Sequence, residues 1–406
     1  MANANNQGWW VIATSIFYQA CTFGVFLYSF TFWIAPWSAE FNLPTTEVVM
    51  AMSMGNVTAS LAAVWVGRLV DKVPVVKLVC SGLMMFALGF FLISIASAFW
   101  QIILVYSLLF GVGITTIGQL TAHTLAIRWF VKRRSVAIGW VSIGSSLGGL
   151  LVPPLVTQIA GDIGWRQTHQ LLALVFAFVV LPIAAWQIRE PALVREPKVD
   201  PQDQLLAPPV STLQRYQQVL TQRRFWLIYM VLTPMVLGVY LFVVNLAPFG
   251  HDLGISVART ALVMSACSLA MIGGKIGSGF LFDHWSTSHV LNLILVVLIG
   301  SLALLSLTPS YPVLLIAGAL LGASAGSYLT VSGTLVTLLY SPREFGGVMG
   351  LVLLSNIVVF LTVPVSSAMR EATGSYVSVW LALMALSALG LLATRRVNAL
   401  VLLAPA

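Results

Sequence analysis

Charge is the scarcest property of this sequence. Of 406 residues only 8% are Asp, Glu, Lys or Arg, where a soluble domain carries roughly a quarter. That shortage excludes an ordinary water-soluble protein and a charged disordered chain. Cysteine is scarce too. Cys21, Cys80 and Cys267 lie in separate apolar runs without CxxC spacing, which excludes a disulfide framework and a thiolate metal site. Acidic groups are missing from the apolar runs: all twelve Asp and Glu fall in breaks or at run ends. A relay of buried carboxylates, a common way to carry protons through a membrane, is therefore not expected. Catalytic patterns are absent as well, with no HExxH and no GxSxG. Gly273-Gly274-Lys275-Ile276 is no phosphate loop, because no Ser or Thr follows the lysine. The sequon Asn56-Val57-Thr58 lies inside an apolar run, where it cannot be glycosylated. No enzyme, metal or cofactor is expected.

What is there is apolar. Hydrophobic residues make up 59% of the chain and the mean hydropathy is +0.96. A helix crosses the hydrocarbon core with about 20 apolar residues, and helices are the spanning form that runs of this length permit. The runs predict spans over 10–35, 46–69, 75–97, 100–126, 136–160, 169–189, 225–248, 258–282, 288–308, 312–339, 345–369 and 375–394. The first run follows a stretch without a basic region or cleavage site and is read as a retained span. Residues 191–223 hold Pro191, Pro197, Pro201, Pro208 and Pro209 with many of the charges, and read as a polar linker. The expected fold class is thus an all-α membrane protein: twelve transmembrane helices in two six-helix bundles, 1–190 and 224–406, related by a pseudo-two-fold axis normal to the membrane.

The net charge of +8 has an explanation other than nucleic acid. Sixteen of the 20 Lys and Arg fall on one side of this alternation, only Arg166, Arg259 and Arg370 on the other, and Lys275 inside a span. The positive-inside rule then places both termini in the cytoplasm, in a cell (inner or plasma) membrane. The halves also repeat. Gly67-x-x-x-Asp71 recurs as Gly279-x-x-x-Asp283 at an offset of 212, and Gly111 and Gly139 recur as Gly322 and Gly350 at 211. An even number of spans per half makes the repeat a parallel one. Small residues four apart (Gly144/Gly148, Gly273/Gly277, Gly322/Gly326, Gly346/Gly350) suit close helix packing in lipid.

Two stretches carry a family resemblance. Gly67-Arg68-Leu69-Val70-Asp71-Lys72 resembles the loop between spans two and three of the major facilitator superfamily, with Pro74 and Val75 replacing the following Gly and basic residue. Arg128-Trp129-Phe130-Val131-Lys132-Arg133-Arg134, continued by Ala137, Gly139, Gly144, Ser145 and Gly148, resembles the signature of the monocarboxylate transporters and the related oxalate/formate antiporters. The resemblance implies alternating access between two bundles. It implies a gate at Gly67, Arg68, Asp71 and Lys72, at Arg128, Arg133 and Arg134, and at Gly279 and Asp283. An acidic residue that relatives often carry before the first span is missing, since Gly8-Trp9-Trp10 follows Gln7.

Lys275 is the most informative single residue. It lies eight positions before Asp283, about 12 Å up a helix. A cation at that depth is costly and faces a water-filled path, unless it snorkels to the interface. It falls where the monocarboxylate family carries a basic, carboxylate-binding residue, usually Arg. Candidate cavity residues beside it are Tyr18, Gln19 and Tyr28 in the first span; Gln119 in the fourth; Tyr240 and Asn245 in the seventh; Tyr328 in the tenth; and Asn356 in the eleventh. Ser142, Ser145 and Ser146 of the fifth share their depth, and for any of these an interhelical hydrogen bond competes with solute contact. His123, one turn from Arg128, is read as interfacial. The leading expectation is a monomeric secondary active or exchange transporter for a small organic anion. One alternative is a larger aromatic solute such as a vitamin or drug, and another is a membrane receptor or sensor that does not transport.

Overall fold

In the computed structural model, residues 2–70, 72–130, 134–189, 219–340, 348–349, 351–352 and 356–403 are described. Among the described residues twelve span-like helices can be followed. Helix α1 joins Ala2–Phe23 to Phe30–Phe41 through a π-helical turn at Gly24–Tyr28. Then come α2 (Thr45–Val70), α3 (Val75–Ser94) and α4, which runs from Phe99–Leu104 through a π-turn, Gly111–Ile117 and Gln119–Trp129. The continuous run Arg134–Val175 is two spans, α5 and α6, divided at Gly164, whose φ of 79° turns the chain back. Helix α6 ends after a π-turn with Leu181–Gln187. The second half follows: α7 (Arg223–Asp252), α8 (Val257–His284), α9 (Thr287–Ser306), α10 (Tyr311–Gly326 and Tyr328–Leu339), α11 (Asn356–Thr373) and α12 (Val377–Leu403). Most of the predicted linker lies outside the described residues.

The repeat reaches further than the motifs that announced it. Pro36 in α1 and Pro248 in α7 lie 212 apart, as do Glu40 and Asp252. Asn42 (φ 53°) and Gly254 (φ 68°), at the same offset, both turn the chain in the left-handed region. Helix packing repeats too. A Cβ on Gly111 would sit 2.6 Å from the Gly55 carbonyl oxygen, and one on Gly322 would sit 2.1 Å from that of Cys267, again 212 residues on. Such contacts bring backbones together as lipid-immersed helices require.

Four predicted glycines behave differently. Gly67 has nothing nearer than Leu120 at 3.9 Å, and Gly139, Gly273 and Gly277 open onto free space. On α8 the tight approach to α10 is made instead by Gly274, against Ala323, while on α10 it is made by Gly322 and Gly326, as their spacing predicts. Gly279 also has free space around it, so neither gate glycine packs a neighbour closely in this conformation. Gly346 and Gly350 lie outside the described residues.

The halves meet through α5 against α8, α2 against α11, and α1 against α7. The two-fold axis exchanges the first two pairs and maps the third onto itself. At the face distal to the basic loops, the Thr46 amide donates to Glu371 Oε1 (2.9 Å) and the Ala247 amide donates to Thr31 Oγ1 (2.8 Å). Ser265 Oγ donates to the Leu150 carbonyl at 2.7 Å. Two ion pairs brace the same face, each within its own half: Arg166–Glu40 and Arg370–Asp252, both 2.5 Å.

Candidate functional site

A cavity of about 200 Å³ lies where the halves face each other. Its wall takes residues from α1, α4, α5, α7, α8 and α10. Two of the contributing helices are interrupted at mid-depth. Helix α4 breaks at Gly118, whose extended ψ of −163° leaves Gln119 as the first residue of an eleven-residue continuation. Helix α10 breaks at Ser327 and restarts at Tyr328. Gln119 and Tyr328 both line the cavity. At Gly118 the backbone leaves the helical region, so Gln119 opens a new helix N-terminus, whereas Ser327 stays right-handed helical and Val331 bonds back to its carbonyl.

Lys275 reaches the cavity from α8 and crosses to the other half. Its Nζ donates to the Ser142 carbonyl (2.7 Å), to Ser146 Oγ (2.9 Å) and to Ser145 Oγ (3.3 Å). All three ammonium hydrogens are thus engaged by α5, and the side chain does not snorkel. Ser142 has a second role: its Oγ donates to the Ile138 carbonyl and lies 2.9 Å from His123 Nε2. His123 therefore faces inward, joined to Lys275 through one residue, and is not the interfacial group that its place one turn from Arg128 suggests. Its spacing from Lys275 runs through tertiary contact, so no linear pattern could have revealed it.

Of the other predicted cavity residues, Tyr28, Tyr240, Gln119 and Tyr328 line the wall. Tyr28 and Tyr240 are 212 apart, equivalent positions of the repeat, and Tyr28 Oη donates to the Met271 sulfur at 3.6 Å. Tyr18, Gln19 and Asn245 are placed elsewhere. Tyr18 is buried inside the first bundle, near Ser15 and Thr121. Gln19 donates to the Ser15 and Val141 carbonyls at 3.3 Å each, tying α1 to α5. Asn245 donates to Ser366 Oγ (2.9 Å) and accepts from Ser367 Oγ, tying α7 to α11. These are interhelical hydrogen bonds, which apolar surroundings make the cheapest way to satisfy an amide. The side chain of Asn356 lies outside the described residues. The rest of the wall is apolar, with Phe23, Leu27, Met235, Val236, Val239, Val243 and Met271.

The predicted gate is seen in part. Arg128 donates to the Val70 carbonyl at 2.9 Å, closing α4 onto α2 within the first half. Lys72 and Asp283 are exposed at the basic face. Asp71 and Arg133, and the side chains of Arg68 and Arg134, lie outside the described residues. Among the described residues no group of His, Cys, Asp and Glu is arranged to hold a metal ion.

Twelve helices in two repeated bundles around a central cavity agree with the family comparison. The model of the Major Facilitator Superfamily matches residues 12–304 and 234–405. The chain belongs to this superfamily. It is a multi-pass membrane transporter and not an enzyme. Among relatives within the superfamily, it is 25% identical over 372 residues to monocarboxylate transporter 13 of Rattus norvegicus, covering 91% of this chain and 84% of that one. It is 24% identical over 340 residues to the MFS transporter asaE of Aspergillus flavus, covering 82% and 72%. Among solved structures it resembles a bacterial homolog of the human lysosomal transporter Spinster in an inward-facing, unoccupied conformation. There the TM-score is 0.65 at 17% identity, over 98% of this chain and 94% of that one.

Proposed function

We propose that this superfamily member moves a small organic anion of the monocarboxylate type across the cell membrane by alternating access, as a secondary active or exchange transporter, and that Lys275 holds the carboxylate. The observation that carries the reading is the Lys275 ammonium, among the described residues the one charged group in the wall of a mainly apolar cavity, bridging the two halves. Two features support it. The restart of α4 at Gln119 adds the positive end of a helix dipole at the same cavity, a device suited to anionic groups. The volume of about 200 Å³ falls below the roughly 300–1,000 Å³ of sites for drug-sized ligands.

A larger aromatic solute is the second reading, favoured by Tyr28, Tyr240, Tyr328 and Phe23 in the wall. In either case the basic loops face the cytoplasm, with both termini there, and a monomer suffices. The named contacts between halves lie at or distal to Lys275, which fits a cavity open to the basic face. The cytoplasmic gate is then Gly67 to Lys72, Arg128 to Arg134, and Gly279 with Asp283.

The test is uptake by proteoliposomes of labelled formate, lactate, pyruvate and benzoate, beside labelled aromatic vitamins. With Lys275→Ala, carboxylate uptake falls about 100-fold, the loss of roughly 2.7 kcal/mol of charge-assisted bonding. Carboxylate uptake that survives the substitution unchanged removes Lys275 from the site, and vitamin uptake alone favours the second reading.

A further inference from the structure

We propose that His123 is the site at which a proton binds together with the transported anion, so that the carrier couples the two without any membrane carboxylate. The inference rests on the reading that Lys275 holds the anion.

The geometry is a three-helix chain. His123 of α4 contacts Ser142 Oγ of α5 at 2.9 Å, and the carbonyl of the same serine accepts from Lys275 Nζ of α8 at 2.7 Å. The Ser142 hydroxyl has one hydrogen, and that is given to the Ile138 carbonyl at 2.8 Å. Nε2 of His123 is therefore the donor to Ser142, and the neutral ring keeps its lone pair on Nδ1. A proton arriving at Nδ1 gives an imidazolium with both nitrogens protonated, and no bond in the protein breaks.

That imidazolium would stand one residue from the Lys275 ammonium. Two like charges so close repel strongly where little water screens them. A carboxylate seated on Lys275 cancels the repulsion. Anion binding then favours protonation, and by reciprocity protonation favours anion binding. Among the described residues near this part of α4, α8 offers Lys275, α1 offers Tyr18 and Cys21, α3 offers Cys80, and α4 itself carries Arg128 five positions on. Lys275 and Arg128 are the charged ones at neutral pH. Arg128 is turned onto the Val70 carbonyl of α2, so the cation joined to His123 through Ser142 is Lys275. The twelve Asp and Glu of the chain, all at breaks or span ends, leave that role unfilled by any other acid–base group at this depth.

The experiment pairs His123→Gln with wild type in proteoliposomes, with lactate and benzoate as probes. Gln keeps a donor for Ser142 and cannot take the proton. For wild type, uptake rises roughly ten-fold when the outside is acidified from pH 8 to pH 6, and an entrapped pH dye reports a proton entering with each anion. For His123→Gln, counterflow of labelled against unlabelled anion persists and no longer depends on pH, while the pH response of uptake and the dye signal vanish. Purified wild type in detergent also takes up a proton from the buffer on adding either anion, a measurement that needs no variant. A variant that keeps its dye signal overturns the assignment. So does one that loses counterflow along with it, and so does wild type that takes up no proton on binding. Failure of the Lys275 reading looks different: wild type inert to both anions, or uptake indifferent to Lys275→Ala, removes the anion site itself and this inference with it.

Discussion

In the first half α1 ends through Pro36, Glu40 and Asn42; in the second, α7 ends through Pro248, Asp252 and Gly254, each 212 residues later. The residues that turn and pack helices are the ones that recur. Those facing the cavity have diverged. Lys275 in α8 has Ala63 as its counterpart in α2, and Val243 stands in α7 where α1 carries Thr31. Tyr28 and Tyr240 are the exception, present in both halves and both on the wall. Duplicated scaffolds keep positions whose substitution would unfold them, while a site on the two-fold axis needs its charge only once.

Three groups of substitutions press on that comparison. The largest effect belongs to the shared packing. Gly322→Ala forces a Cβ against the Cys267 carbonyl, and neither backbone can yield without parting α8 from α10. Overpacking of this kind costs typically 1–3 kcal/mol, so the protein melts well below wild type in detergent, while Gly139→Ala, with free space around it, melts unchanged. Equal melting of the two variants would show that the close approach is not what holds the bundle.

Next comes the contact present on one side alone. Thr31→Val makes α1 match the Val243 of α7 and removes the acceptor for the Ala247 amide. Loss of about 1 kcal/mol at the distal closure shifts the balance toward the distal-open form about five-fold. Alkylation of a cysteine placed on the distal side of the cavity reports the shift, and Thr31→Ser restores wild-type labelling.

The smallest effect is at the distal ion pairs. Arg370→Gln and Arg166→Gln each cost less than about 1 kcal/mol, because these partners are partly exposed to solvent. Transport by both variants stays near wild type, and added salt narrows any difference in melting.

Much of this was readable in the chain. Runs of apolar residues count spans because lipid leaves the backbone no other choice, and the predicted 75–97 span meets Val75–Ser94 in the structure. Lys275 was legible because a charge at that depth demands a reason. Tyr18, Gln19 and Asn245 could not be told from cavity residues, since depth along a helix says nothing about which way a side chain turns. The repeat held an unused clue: matching the halves at 212 pairs Tyr28 with Tyr240 and brings both to one wall. His123 was the hardest to read, since its meaning depends on α4, α5 and α8 meeting at Ser142.

Lys275 is already fully bonded before any solute arrives, its three hydrogens taken by Ser142, Ser145 and Ser146. An incoming carboxylate therefore replaces good partners instead of rescuing a stranded charge, and gains only the difference between the two sets of bonds. A carrier arranged in this way holds its cargo loosely and lets it go quickly, which suits a solute that is plentiful and has to be moved often.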